Sequence, residues 1–169
     1  MNTIRNEKPA DASAVRHVNE QAFGRPAEAN LVEALTDHDA VTLSLVALDD
    51  TKIVGHILFS PVEIESDDAA FVGAGLGPMA VLPQCQRRGI GSQLVRCGLE
   101  VLRDADHTFV VVLGHPEFYP RFGFVPASRL GLSCTYDVPD EVFMAMELRD
   151  GGLNNIRGIA RYRGEFDET

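Results

Sequence analysis

The chain has 169 residues, with 15 Lys and Arg against 25 Asp and Glu, which gives a formal net charge of −10. This length suits a single domain over residues 1–169, and a hydrophobic content of 45% suits a globular protein rather than a disordered one. The acidic balance argues against nucleic acid and against an anionic membrane as partners, because both require a basic surface.

The ends and the cysteines bear on the cellular compartment. Residues 1–8 have no apolar run behind their charges, so no signal peptide is expected, and no stretch approaches the roughly 18 apolar residues of a membrane span. Cys85, Cys97 and Cys134 are odd in number and widely spaced, which fits neither a disulfide framework nor a zinc site. We therefore expect a cytoplasmic protein without a metal centre. Cys85 is either a reactive thiol or a structural cysteine, and the second interpretation is favoured.

The first elements in the chain are two helices. Asp11 is placed to cap a helix that runs to about Phe23, where residues 24–26 break it. A second helix covers about 27–37.

After the second helix, the spacing of apolar residues changes from the helical period to one typical of strands. Three strands are expected at about 41–48, 53–64 and 71–82. Polar turns at 49–52 and 65–68 join them, which predicts antiparallel hairpins.

A glycine loop, a helix and a strand follow. The helix covers about 89–104, and Gly91 and Gly98 would let it approach a sheet closely. Its apolar face is expected to hold Ile90, Leu94, Val95, Val101 and Leu102. The continuous apolar run 108–113 predicts a strand covered on both faces and parallel to the preceding strand.

The rest of the chain predicts a short aromatic helical turn and more strands. The turn runs from Pro116 to Phe122, and strands are expected near 132–136, 142–148 and 156–162. The last strand falls in a carboxy-terminal extension, residues 151–169, which would cover a sheet edge or lie in a dimer interface. The fold class that follows is α/β, a mixed sheet with antiparallel hairpins first and one parallel crossover.

The third strand is unusual because it contains three glycines and Pro78. Proline cannot donate to a strand ladder, and glycine within a strand marks a bulge or a close approach. One interpretation is a loop followed by a short strand over 79–82. We favour a splayed strand, which leaves backbone N–H and C=O groups free to pair with another molecule.

The loop after this strand predicts an anion site. Residues 83–89 lead into a helix, and the first turn of a helix presents unpaired N–H groups and the positive end of the helix dipole. Such a site suits a diphosphate. Arg87 and Arg88 add an adjacent pair of cations in an acidic chain.

Two segments resemble the GNAT N-acetyltransferase superfamily. Residues 86–91 read Gln-Arg-Arg-Gly-Ile-Gly, which is similar to that family's Q/R-x-x-G-x-G/A signature, and residues 79–83 resemble its acetyl-CoA strand. Residues 119–124 resemble its Y-x-x-x-G-F segment. The similarity spans roughly residues 1–150 and is nearest to a bacterial subgroup of predicted acetyltransferases with unassigned substrates. His115 departs from the acidic residue that this subgroup has after the strand.

The resemblance implies a fold, a cofactor and site residues. The fold would be GNAT-like, a mostly antiparallel sheet with a splayed central strand and flanking helices. Acetyl-CoA would be the cosubstrate, and its binding residues would be Met79, Ala80, Val81, Gln86, Arg87, Arg88, Gly89, Ile90, Gly91 and Ser92. The Val81 N–H would stabilise the oxyanion, and Tyr119 would donate a proton to the leaving thiolate. Alternatively, Tyr119 belongs to an aromatic core cluster.

The function that the resemblance implies is transfer of an acetyl group to a primary amine by direct attack in a ternary complex. The acceptor would be a small molecule or a protein amino group, and a homodimer stays open. The base is not assigned; its candidates are Glu28, Glu33, His56, Glu63 and His115, besides a water chain. The alternative hypothesis is a non-catalytic acyl-CoA-binding sensor or interaction module, and the intact loop with Tyr119 favours the enzyme.

Overall fold

The computed structural model describes residues 2–168, which divide into two compact units. Within the described residues, the first unit comprises 2–60, 77–100 and 164–168, and the second comprises 61–76 and 101–163. Three elements contribute residues to both units: β3 (Lys52–Glu65), β4 (Ala70–Val81) and α3 (Ile90–Asp104).

The first unit combines antiparallel strands with two helices packed on them. Its further elements are β1 (Asn2–Asn6), α1 (Ala12–Phe23), α2 (Ala27–Asp37) and β2 (Leu43–Asp49). β2 pairs with β1 on one side and with β3 on the other, both antiparallel. The helices and strands bury a common apolar cluster that includes Val15, Leu31, Val32, Leu35, Val46 and Leu58. The strand β1 was not predicted, whereas both helices and the hairpin were.

Asp11 directly precedes α1, as predicted, but its carboxylate does not cap that helix. Oδ2 accepts a hydrogen bond from the Lys8 N–H at 2.7 Å, and the Arg5 guanidinium donates to both carboxylate oxygens at 2.7 and 3.1 Å. Among the described residues, no side-chain cap bond joins Asp11 to the first turn of α1. The Arg5 guanidinium lowers the pKa of the Asp11 carboxyl to about 2.

The helix α3 approaches β3 closely, as its glycines predicted. A Cβ added to Gly98 would lie 2.5 Å from Cε1 of Phe59, a fully buried ring of β3. On the facing strand, a Cβ added to Gly55 would lie 3.1 Å from both Ile90 and Leu94. The prediction was wrong for Val101, whose side chain is 38% exposed rather than part of the buried face.

Gly98→Ala should therefore lower the free energy of unfolding, although alanine is the better helix former. Overpacking a filled core costs about 1–3 kcal/mol, whereas the higher helix propensity of alanine gains about 1 kcal/mol. The cost exceeds the gain only if the Phe59 ring cannot move aside. We expect a net loss of about 1–2 kcal/mol by urea denaturation. Gly164→Ala is the control, because a Cβ there would meet nothing within 4 Å. A stabilised Gly98→Ala variant would contradict the close packing.

The second unit contains the parallel crossover. Its strands are β5 (Phe109–Leu113), β6 (Val125–Pro126), β7 (Leu132–Cys134), β8 (Phe143–Glu147) and β9 (Gly158–Arg161). β5 is parallel to β4 and antiparallel to β8, so the predicted parallel pair is confirmed. β9 pairs with β3 on one side and with β7 on the other. The mixed, mostly antiparallel α/β class is confirmed, and the two-residue strand β6 was not predicted.

β4 is one continuous strand of 12 residues, so the interpretation of residues 71–78 as a loop is wrong. Its pairing with β5 covers Ala74–Leu76 against Val110–Val112. Residues 79–81 continue the strand beyond this pairing, as expected for a splayed strand.

Candidate functional site

The end of β4 presents backbone hydrogen-bonding groups on one side. The Leu82 N–H donates to the carbonyl of Val54 in β3 at 2.9 Å. Because the two polar ends of a trans peptide unit point in opposite directions, the Val81 carbonyl faces away from β3. The N–H of Val81 faces the same way as its carbonyl in extended backbone, and Met79, two residues earlier, shares that side. Ala80, which lies between them in the sequence, is buried.

The loop that follows is held in an unusual backbone conformation. A 3₁₀ turn over Pro83–Cys85 buries the Cys85 side chain to 8% exposure, which supports a structural thiol. Arg87 has a φ of +65°, in the left-handed region that arginine adopts rarely. Gly89 has a φ of +82°, and a Cβ added there would meet nothing within 4 Å. Glycine adopts this conformation without strain, so it is the left-handed Arg87 that points to a functional constraint on the loop.

The loop opens directly onto the amino terminus of α3. Gln93 N–H donates to the Gly89 carbonyl at 3.0 Å, and Ile90, Gly91 and Ser92 precede it in the first turn. An α-helix offers no backbone acceptor to the N–H groups of its first turn, and its dipole adds partial positive charge there. These groups and the left-handed loop form a surface suited to a phosphate or diphosphate.

The side chains of Arg87 and Arg88 are exposed beside this surface. The Gln86 N–H has a long contact of 3.4 Å to the Pro83 carbonyl, while the Gln86 side-chain amide donates to the Val81 carbonyl at 3.0 Å. The structure therefore brings all the predicted cofactor-binding residues into the first unit, on the end of β4 and the adjoining loop and helix start. The side-chain contact of Gln86 was not predicted.

Tyr119 lies in the second unit, at the start of the 3₁₀ turn Tyr119–Phe122. Its ring makes edge-on contacts with Phe118 and Phe124, at centroid distances of 5.0 and 5.7 Å. A Cβ added to Gly114 would lie 2.3 Å from Cε2 of Tyr119, so glycine lets the ring rest on the backbone. The ring is packed as a core aromatic would be, and it is 7% exposed.

Burial raises the pKa of Tyr119 to about 12. The phenol therefore keeps its proton throughout the neutral and mildly alkaline range. His115, which departs from the subgroup's acidic residue, has an exposed side chain. Its carbonyl accepts hydrogen bonds from the N–H groups of Phe118 and Tyr119 at 3.1 and 3.3 Å. The contribution of this position to the turn is thus made by its main chain.

Two of the candidate bases are carboxylates engaged by arginine in the first unit. Glu28 is buried, and the Arg25 Nε donates to its carboxylate at 3.0 Å. Glu33 forms an ion pair with Arg16 at 2.9 Å. Both carboxylates are therefore already engaged by a guanidinium group within the chain. Glu63, in the second unit, is exposed on β3.

The fifth candidate, His56, is fully buried in a polar network of the first unit. Asn19 Nδ2 lies 3.2 Å from His56 Nδ1, and His56 Nε2 lies 2.9 Å from Ser44 Oγ, which donates to Glu7 Oε1 at 2.6 Å. Asn19 Nδ2 also donates to the Val15 carbonyl at 3.0 Å. The hydrogen bonds of this network join residues up to 37 positions apart, so sequence patterns did not reveal them.

The network fixes one pattern of protons. The Asn19 amide donates to Nδ1 of His56, Nε2–H donates to Ser44, and the Ser44 hydroxyl donates to Glu7. Burial raises the pKa of the Glu7 carboxyl, but the neighbouring His56 imidazole and the hydrogen bond from Ser44 together lower it by more, so the net direction is downward. Both nitrogens of the imidazole are engaged within the network, and the side chain has no exposed surface through which an acceptor amine could reach it.

Comparison with known proteins decides between the function classes that such an anion site permits. The sequence profile described as "Acetyltransferase (GNAT) domain" matches residues 3–127. The chain belongs to the GNAT acetyltransferase family. The predicted resemblance and the predicted enzyme class, N-acetyltransferase, are confirmed, and catalysis is favoured over a non-catalytic binding module.

Two relatives from Escherichia coli K12 extend this GNAT assignment beyond the profile. The uncharacterized N-acetyltransferase YhbS is 36% identical over 165 residues, which cover 97% of this chain and 98% of YhbS. The uncharacterized N-acetyltransferase YjhQ is 40% identical over 135 residues, which cover 78% of this chain and 75% of YjhQ.

Crystal structures of GNAT proteins match the fold over nearly its whole length. YhbS from Escherichia coli in complex with CoA has a TM-score of 0.92 at 34% identity, covering 98% of this chain and 92% of that one. A GNAT acetyltransferase from Brucella melitensis in complex with acetyl-CoA has a TM-score of 0.81 at 37% identity, covering 99% of both. The GNAT-like fold class is confirmed.

Residues 2–168 of this GNAT protein contain neither a helix that could span a membrane nor a metal-binding cluster of side chains. Across residues 2–168, no helix combines the length and the apolar character that crossing a bilayer requires. In the same range, no group of three or more His, Cys, Asp and Glu side chains is arranged to hold a metal ion.

Proposed function

We propose that this GNAT protein transfers the acetyl group of acetyl-CoA to a primary amine by direct attack in a ternary complex. The observation that carries the proposal is the strained loop that opens on the first turn of α3, in a chain 37% identical to a protein crystallised with acetyl-CoA. A carbon–nitrogen bond forms and the carbon–sulfur bond of the thioester breaks. The amine nitrogen loses one proton and the sulfur of CoA gains one, which gives the free thiol.

The cofactor residues are assigned by the chemistry of their backbone groups. The N–H groups of residues 86–92 hold the diphosphate, and Gly89 fits it because no side chain fills the space above its Cα. The exposed side chains of Arg87 and Arg88 add positive charge. The pantetheine arm pairs with Met79–Val81 as an added strand would, on the side that faces away from β3.

The Val81 N–H is the proposed donor to the oxyanion that develops on the thioester carbonyl. A single preorganised donor of this kind contributes about 3–4 kcal/mol to the transition state. Since it belongs to the main chain, substitution of Val81 changes its orientation and does not remove it.

Tyr119 is the proposed donor to the departing sulfur. The thiolate of CoA, with a pKa near 8.5 by analogy with cysteine, leaves with a negative charge that a phenol can stabilise. The aromatic contacts of Tyr119 hold the ring in one orientation, which a positioned donor requires. The base is not assigned to a side chain, and solvent water takes the proton of the ammonium group.

Three further expectations belong to the proposal. The acceptor is a small amine or a protein amino group, and the acidic net charge favours a cationic one. The chain acts as a single domain, with a homodimer as the alternative to a monomer. The protein works in the cytoplasm, which agrees with the three cysteines that are free in the described chain.

The test of this function is acetyl-CoA-dependent thiol release across polyamines, aminoglycosides, amino acids and peptide amino termini. We expect at least one amine to accelerate thiol release and to gain the mass of an acetyl group. Gly89→Ala should raise the KM for acetyl-CoA about tenfold, because the new Cβ enters the space proposed for phosphate and strains a left-handed residue by about 1–2 kcal/mol.

Gly24→Ala is the matched control for Gly89→Ala. Gly24 also has a left-handed φ, +69°, and open space around its Cβ position, but it ends α1 far along the chain from the loop. It should lose similar stability and keep the KM for acetyl-CoA. Tight CoA binding with no thiol release for any amine would favour the non-catalytic module instead.

A further inference from the structure

The side chain of Gln86 makes a contact that phosphate binding does not require. Its Nε2 donates to the Val81 carbonyl at 3.0 Å. The other polar end of the same peptide unit, the Leu82 N–H, donates to the Val54 carbonyl at 2.9 Å. The Val81–Leu82 peptide is therefore held from both sides, by the loop at one end and by β3 at the other.

We propose that Gln86 is a positioning residue for acetyl transfer, which restrains the Val81 backbone so that its N–H points at the reacting carbonyl. This inference rests on the proposed function, which assigns the Val81 N–H to the oxyanion. Rotation of the Val81–Leu82 peptide changes ψ of Val81, and a compensating change in φ of Val81 reorients the preceding peptide, which carries the Val81 N–H. A donor on the outward carbonyl opposes that rotation.

The contact also has an electrostatic consequence. The carbonyl of Val81 faces the same side as its N–H, so its negative end would repel a developing oxyanion there. A hydrogen bond from the Gln86 amide offsets this charge where it would oppose the reaction. The amide thereby acts in the transition state more than in the ground state, in which the thioester carbonyl carries little charge.

The same contact sets where an added strand must stop. A pantetheine arm that pairs with Met79 and Val81 can use the N–H of Val81, but the carbonyl of that residue is already occupied by Gln86. The backbone ladder therefore ends at the Val81 N–H, which is the group that the thioester must reach.

The test uses the full-length protein and three single variants. Gln86→Met keeps the length of the side chain and removes the donor, whereas Gln86→Arg supplies another N–H donor. Gln84→Met is the control, because Gln84 is an exposed residue of the same loop with no assigned role. We expect Gln86→Met to lower kcat about tenfold and to change the KM for acetyl-CoA and the Kd of CoA less than twofold. Gln86→Arg should restore kcat to within about threefold, and Gln84→Met should match the wild type.

A second measurement tests the restraint without catalysis. Amide hydrogen exchange at Leu82 should become about tenfold faster in Gln86→Met and stay unchanged in Gln84→Met. A wild-type protein that releases no thiol would refute the proposed function, while faster exchange at Leu82 would still support the restraint. Unchanged exchange would overturn the inference, as would a variant whose KM and Kd rise while kcat stays constant.

Discussion

Tyr119→Phe should lower kcat for acetyl transfer by about 10- to 150-fold and leave CoA binding unchanged. The size of this loss in kcat follows from the pKa of about 12 that burial imposes on the phenol of Tyr119. A phenol that holds its proton so tightly gives it up incompletely to a thiolate with a pKa near 8.5. Its effect is therefore that of a hydrogen bond to a charged group, about 1.5–3 kcal/mol, rather than the 10²–10⁴-fold of full general acid catalysis.

The raised pKa of Tyr119 also fixes the sign of the pH dependence. The donor is the protonated phenol, and a raised pKa keeps that form present to higher pH. The rate kcat should therefore not decline between about pH 8 and pH 10, where a phenol of ordinary pKa near 10 would begin to lose its proton. A decline centred near pH 10 in the wild type, absent from Tyr119→Phe, would show that the phenol titrates normally when substrates are bound.

A second variant separates the position of the Tyr119 ring from the chemistry of its hydroxyl group. Gly114→Ala keeps the phenol but places a Cβ where the Tyr119 ring rests, so the ring must move. We expect kcat to fall in this variant as well, with unchanged affinity for CoA. If kcat falls for Gly114→Ala but not for Tyr119→Phe, the turn matters for packing and the phenol has no role.

His56→Leu should lower the free energy of unfolding by about 2–4 kcal/mol. The substitution removes the acceptor of the second Asn19 N–H and the donor to Ser44, and each buried polar group left without a partner costs about 1–3 kcal/mol. The imidazole has no exposed surface, so water cannot replace these contacts without rearrangement. Urea denaturation at neutral pH measures the loss.

The double variant Asn19→Leu/His56→Leu is the control for His56→Leu. Removing both partners of a buried hydrogen bond costs less than the sum of the single changes, because no donor is left facing an apolar side chain. We expect a coupling energy of at least about 1 kcal/mol between the two positions. Strict additivity would mean that the 3.2 Å contact contributes nothing to stability.

The sequence predicted those elements whose pattern is local. Both amino-terminal helices, the β2–β3 hairpin and the β4–α3–β5 crossover follow from period changes and turn residues. The strand β1 escaped notice because Ile4 is its one strongly apolar residue and Arg5 and Asn6 follow it. Its place is fixed by pairing with β2, some forty residues away, which no local pattern encodes.

The features of the candidate site that have a local sequence pattern were likewise predicted, and those that depend on strand pairing or packing were not. Gly89, Gly91 and the adjacent arginines revealed the loop, because a glycine turn before a helix has a local signature. The contact between Gln86 and Val81 spans five residues, but it depends on the direction in which the end of β4 faces, and that direction depends on the pairing with Val54. Burial of Tyr119, and with it the raised pKa, depends on the backbone at Gly114, which sequence reasoning did not connect with it.

The left-handed backbone at Arg87 and Gly89 has a consequence for how this protein can evolve. The proposed phosphate contacts come from the main chain, so most side chains of the loop can drift while the cofactor site persists. Gly89 is one exception, since its φ of +82° penalises residues that carry a Cβ, and Gln86 is the other, because its side chain holds the Val81 carbonyl. A deep mutational scan of residues 83–92 should therefore show tolerance at the exposed positions 84, 87 and 88, with minima at Gly89 and, through its contact with the Val81 carbonyl, at Gln86.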